Sequence, residues 1–119
     1  MNKVILLIVA FVLGSSIYAG DAKKGAKVFK KINCALCHKA DGMGKAKNGK
    51  LSILKAPRIA GLSEKYIIEQ VTAIQSKKRK TAYTSMMYSK VRKLSKQDIA
   101  DVAAYVSGLS KDKHKGMKE

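Results

Sequence analysis

Cys34-Ala35-Leu36-Cys37-His38 decides how the rest of this chain is read. These are the chain's only two cysteines, and a histidine follows the second at once. A disulfide between Cys34 and Cys37 would close almost no loop and add little stability. Three other readings compete. A thioredoxin-like redox pair needs a strand–helix setting, and the flanking Lys30-Lys31-Ile32-Asn33 lacks strand alternation. A structural zinc site needs four ligands. Beyond Cys34, Cys37 and His38 the chain offers only His114, in a Lys-rich tail. The third is attachment of a c-type haem, in which both thiols add to the vinyl groups and the adjacent imidazole ligates the iron. That reading is favoured because the chain before and after the motif agrees with it.

Upstream, Lys3 precedes an unbroken apolar run from Val4 to Leu13. Small residues then lead to Ala19 and a polar start at Gly20-Asp21. This is the layout of a secretory signal peptide over residues 1–19, cleaved after Ala19. The run is well short of the ~20 apolar residues that span a bilayer. Residues 20–119 then form one small exported domain, with 110–119 expected as a mobile basic tail. A core of that size is marginal without a prosthetic group or cross-links. The expected location is the periplasm.

The whole chain has 119 residues, 25 Lys+Arg against 8 Asp+Glu, and a formal net charge of +17. Glycine and cysteine counts exclude collagenous and disulfide-scaffold classes, and a single apolar run excludes a polytopic membrane protein. Lys23, Lys24, Lys27, Lys30 and Lys31 crowd one segment, and Lys77-Lys78-Arg79-Lys80 with Lys90, Arg92 and Lys93 flank Met86-Met87. Such runs are commonly solvated faces. Their functional reading is electrostatic steering toward acidic redox proteins or membrane-bound oxidoreductases, with weak contact to an anionic membrane surface. Nucleic acid is not expected as a partner: export removes the opportunity, and aromatic residues do not interleave the basic ones.

The expected elements are helices and loops. Asp21 caps a first helix through Ala22, Ala26, Val28, Phe29 and Ile32, ending at Asn33. Gly25 inside it signals close approach by another element. Residues 39–55 read as a Gly- and Lys-rich loop, broken at Ala56-Pro57. Ser63 opens a second helix with an apolar stripe of Ile67, Val71 and Ile74. Ser76 to Thr84 reads as a basic, irregular connection. Ser95-Lys96-Gln97-Asp98 is close to a capping box and starts a third helix, stopped by Gly108.

If His38 fills one axial position, the other ligand comes from Met43, Met86, Met87, Met117 or His114. Met43 follows His38 too closely to reach round the ring, and Met117 and His114 sit in the charged tail. Met86-Met87 lies between the second and third helices, where it could cross the far face, although methionines there could equally be core filling.

The order of these features is similar to class I c-type cytochromes, small monohaem forms and single halves of dihaem proteins. The order runs from Gly25 and Phe29 through Cys34-x-x-Cys37-His38 and Pro57-Arg58-Ile59-Ala60-Gly61 to a Met and Leu94-Ser95-Lys96-Gln97-Asp98. The resemblance covers Asp21 to Leu109. It implies an all-α cytochrome c fold of three to four helices wrapped around one covalent haem c with its iron. It also implies that the first and last helices cross near Gly25 and Tyr105, and that the Pro57 carbonyl accepts a hydrogen bond from His38. In that family the ligand methionine precedes the Leu-Ser helix start by seven residues, which selects Met87 by its distance from Leu94. A His38/Met87 pair leaves no open position, so the implied role is a monomeric single-electron carrier in a respiratory chain rather than an enzyme. The alternatives are an electron-accepting subunit of a larger periplasmic oxidoreductase and a haem peroxidase or sensor.

Overall fold

The computed structural model describes residues 18–44 and 56–113. The signal-peptide run, most of the 39–55 loop, His114 and Met117 lie outside them. Five helical elements follow in order: α1 (Ala22–Lys31), α2 (Ala35–His38), α3 (Glu64–Gln75), α4 (Thr84–Val91) and α5 (Lys96–Ser107). No strand occurs among the described residues. The expected all-α fold is present: the three anticipated helices are α1, α3 and α5, α2 is a single turn, and α4 begins at Thr84, where the expected irregular connection from Ser76 ends.

The three anticipated helices start where their caps indicate. The Asp21 side chain accepts from Lys24 N–H, and Ser63 accepts from Tyr66 N–H. Ser95 and Asp98 complete a reciprocal capping box. Each such cap satisfies donors that a helix start leaves unpaired. α1 ends as the sequence indicates, with Asn33 in the left-handed region at φ 57°. Asn33 N–H bonds to Lys30 C=O, and Cys34 N–H to Phe29 C=O, the paired bonds that close a helix while reversing its path. Cys34 therefore enters directly from the end of α1.

α1 packs across α5, and α5 and α4 both pack on α3. At the α1–α5 crossing Gly25 lies directly against the backbone carbonyl of Asp101, and a Cβ there would also come within 2.8 Å of Tyr105 Cβ. Only glycine allows that approach. One turn on, Phe29 meets Tyr105 edge to face, ring centroids 5.2 Å apart. The buried Asp101 carboxylate accepts from Asp21 N–H and from Gln97 Nε2, both at 2.8 Å, tying the start of α1 to α5. Ile67, Val71 and Ile74 are buried as their spacing predicts, together with Ile99, Val102 and Val106. Each such aliphatic side chain contributes roughly 1.5–3 kcal/mol by leaving water. The lysines of α1 remain exposed on the opposite side.

The start of the basic tail is fastened. Arg58 donates to Ser110 Oγ and Asp112 C=O, and Lys113 Nζ to Ser107 C=O.

Candidate functional site

The single turn of α2 does the first work at the site. His38 N–H bonds to Cys34 C=O at 2.9 Å, so Cys34, Cys37 and His38 fall at helical offsets of three and four and share one face. Two thiols and an imidazole thereby project together. No disulfide joins the two cysteines. Burial pushes the Cys34 thiol up to about 11. Among the described residues no strand leads into the motif, and no group of three or more His, Cys, Asp or Glu side chains is arranged to hold a metal ion by itself.

His38 is buried, with 9% of its surface exposed. Its Nδ1 lies 2.9 Å from the Pro57 carbonyl oxygen. A carbonyl can only accept, so Nδ1 carries the proton and Nε2 is left as an electron-pair donor. Burial lowers the pKa of His38, and the Pro57 bond opposes that shift without cancelling it. The imidazole is therefore held neutral, the form that ligates metal.

The loop after α2 keeps Pro57 in place. Gly44 N–H bonds to His38 C=O at 2.8 Å, and Gly42 C=O accepts from both Ile59 and Ala60 N–H. Gly42 and Gly44 adopt φ values of 70° and 67°, and a Cβ on Gly44 would press into the Ala56 carbonyl and lie 2.9 Å from Pro57 O. Lys39 adopts φ 67°, ψ 161°, a region that glycine occupies freely and other residues rarely do.

Two adjoining cavities of about 450 and 440 Å³ open beside this motif. Cys34, His38, Pro57, Ile74, Arg79, Met87 and Val91 line both. The deeper walls are apolar, built from Phe29, Ile67, Val71, Val102 and Val106, while Cys37, Leu36, Tyr83 and Met86 line the outer one. The donor set and the walls fit a haem: thiols for thioether attachment, a neutral imidazole and a large apolar chamber.

The methionines separate by position. Met87 is half-buried and lines both cavities, whereas Met86 is 47% exposed and lines only the outer one. Met43 lines neither cavity and belongs to the loop after α2, its N–H bonded to Asp41 Oδ1. Sequence reasoning missed the part played by Arg79. Counted there in a charge run, it is half-buried, donates from Nη1 to Gln70 Oε1 at 2.8 Å and lines both cavities. Its alternation with exposed Lys78 and Lys80 carries no signal that would single it out.

Comparison with known proteins agrees with this geometry. The cytochrome c family profile matches residues 22–110. Cytochrome c4 of Pseudomonas aeruginosa is 36% identical over 107 residues, covering 88% of this chain and 47% of that protein. Cytochrome c-554(548) of Halomonas halodenitrificans is 35% identical over 89 residues, covering 75% of this chain and 96% of that protein. The structure of reduced cytochrome c4 from Pseudomonas stutzeri superposes with a TM-score of 0.62 at 28% identity, over 80% of this chain and 53% of that one. The chain thus spans about half the length of the cytochrome c4 relatives it matches. With its Cys-x-x-Cys-His turn, its proline-anchored histidine and its helical fold, the chain belongs to the cytochrome c family, whose cofactor is covalently bound haem c with its iron.

Proposed function

We propose that this protein is a monomeric, periplasmic single-electron carrier of a respiratory chain. In this reading Cys34 and Cys37 hold one haem c by thioethers, and His38 and Met87 are the two axial iron ligands. The observation that carries it is that His38, on α2, and Met87, on α4, line the same pair of cavities. The haem iron, when bound, supplies reversible one-electron chemistry.

The chain's own residues supply orientation and exclusion. Pro57 fixes the His38 ring and makes its free nitrogen more basic. Met87 would supply the second iron ligand, which would raise the reduction potential and leave substrate no open site. Arg79 and Lys90 are the cationic residues lining the outer cavity, suited to the carboxylates of the haem. The apolar walls keep water from the remainder.

Docking falls to the outer rim. Leu36, Tyr83 and Met86 are exposed there at 57%, 45% and 47%. Exposed Lys78, Lys80, Lys90 and Lys93 flank them in sequence. A small apolar centre with positive neighbours suits an acidic redox partner, whether a small protein or a membrane-bound oxidoreductase. Export rests on the apolar leader, and among the described residues no helix is long and apolar enough to cross a membrane.

The test is the absorption spectrum of the reduced holoprotein with and without carbon monoxide. A carrier with both axial positions filled gives one spectrum in both conditions. A spectrum that shifts promptly with carbon monoxide means an open site, and hence an enzyme or sensor. Gel filtration of native extract distinguishes a free carrier from a subunit of a larger oxidoreductase.

A further inference from the structure

We infer that Gln75 is the positioning residue for Met87: its side-chain amide fastens the end of α4 to α3 and so sets how often the Met87 thioether withdraws from the cavity. This rests on the assignment of Met87 as iron ligand. Gln75 is the last residue of α3, and its Nε2 donates to Val91 C=O at 3.0 Å and to Leu94 C=O at 2.8 Å. Val91 closes α4, and Leu94 stands just before the cap of α5. One amide therefore grips both ends of the turn that follows the ligand helix. Carbonyls in the last turn of a helix lack partners within it. Val91 C=O also accepts from Leu94 N–H at 3.0 Å, so what the Gln75 amide adds is the link from this turn to α3.

Val91 lies four residues after Met87, on the same face of α4, and both line the cavities. Fixing the Val91 carbonyl thus fixes the face that carries the thioether. The other end of α4 is tied to its own lead-in rather than to α3: the Thr84 hydroxyl accepts from Thr81 N–H and donates to Thr81 C=O, Tyr83 makes no side-chain capping bond, and Tyr83, Ser85 and Met86 are exposed. α3 is the element on which α4 principally packs. A second link joins the same two ends, with Lys77 Nζ 4.8 Å from the centroid of the Tyr88 ring. α4 is built to swing from its C-terminal end, and Gln75 is the pin.

Cyanide binding to the oxidised holoprotein measures this directly, because cyanide reaches iron only when the thioether has left. Its apparent affinity scales with the fraction of molecules in that state. Gln75→Leu, close in size but without donors, should bind cyanide roughly tenfold more tightly, two hydrogen bonds having been lost. Gln75→Lys keeps donors for both carbonyls and should stay near wild type. Asp21→Ala removes the α1 cap at a distance from α4, lowers stability generally and should leave cyanide affinity unchanged.

Gln75→Leu within about twofold of wild type overturns the inference. So does an equal gain in Asp21→Ala, which would make the effect one of global stability. If the weak near-infrared band of methionine–iron coordination in the oxidised holoprotein survives in Met87→Ala, the ligand assignment fails and takes this inference with it. If that band is lost as expected while Gln75→Leu behaves as wild type, the clamp alone has failed.

Discussion

The carbonyl oxygen of Pro57 receives the Nδ1–H of His38 at 2.9 Å, and Gly44 lies against the backbone of Ala56 and Pro57. A Cβ at Gly44 would collide with the Ala56 carbonyl and crowd Pro57, and the residue's φ of 67° disfavours any side chain. Gly44→Ala should therefore displace the Pro57 peptide and weaken this bond, at a cost of about 1–3 kcal/mol. In proton spectra of the reduced holoprotein the His38 Nδ1 proton should exchange with water faster than in wild type. Unchanged exchange would mean that the Pro57 carbonyl does not depend on Gly44.

Gly25 makes the equivalent test for the scaffold. Alanine improves helix propensity by about 1 kcal/mol, yet here its methyl would meet the Asp101 carbonyl and Tyr105 Cβ. Overpacking should win. Gly25→Ala is expected to lose at least about 2 kcal/mol in denaturant unfolding, as α1 and α5 are pushed apart.

Lys39 invites the opposite change. It follows His38 directly and holds φ 67°, ψ 161°. Lys39→Gly should relieve strain there and, after the extra chain entropy of glycine, stabilise the fold by about 1 kcal/mol. Chemical denaturation of the two proteins checks this, and a less stable variant would show that the Lys39 side chain makes a compensating contact.

The exposed lysines should govern encounter rather than fold. Electron transfer to an acidic redox protein should slow steeply as salt rises, since at ~0.15 M ionic strength charges act over only ~8 Å. Lys78→Glu with Lys93→Glu, both exposed, should cut the association rate at low salt roughly tenfold. The absorption spectrum and unfolding midpoint should barely move. Stopped-flow mixing measures the rate, and indifference to both salt and charge reversal would indicate apolar docking.

Much of this architecture is legible in the chain because its signals are local. Asp21, Ser63 and Ser95 announce three helix starts by side-chain chemistry, and Ile67, Val71 and Ile74 announce a buried face by spacing. Gly25 betrays the helix crossing by its poor fit to a helix interior. α4 escapes such reading for a physical reason: Tyr83 provides no cap, only Val91 is buried, and the segment is held from outside by Gln75. Arg79 escapes for a similar one. Its neighbours Lys78 and Lys80 are exposed, and only the turn after α3 carries its guanidinium to Gln70 and the cavities. The local arrangement of Cys34, Cys37 and His38 follows from one helical turn, whereas the choice between Met86 and Met87 depends on which side chain faces inward.

The central claim is axial ligation by His38 and Met87, and its most direct test is the weak near-infrared band of methionine–iron coordination in the oxidised holoprotein. Wild type should show the band, Met86→Leu should keep it, and Met87→Ala should lose it while the haem remains covalently attached. A band that survives in Met87→Ala and disappears in Met86→Leu would contradict the account, because the exposed methionine would then be the ligand.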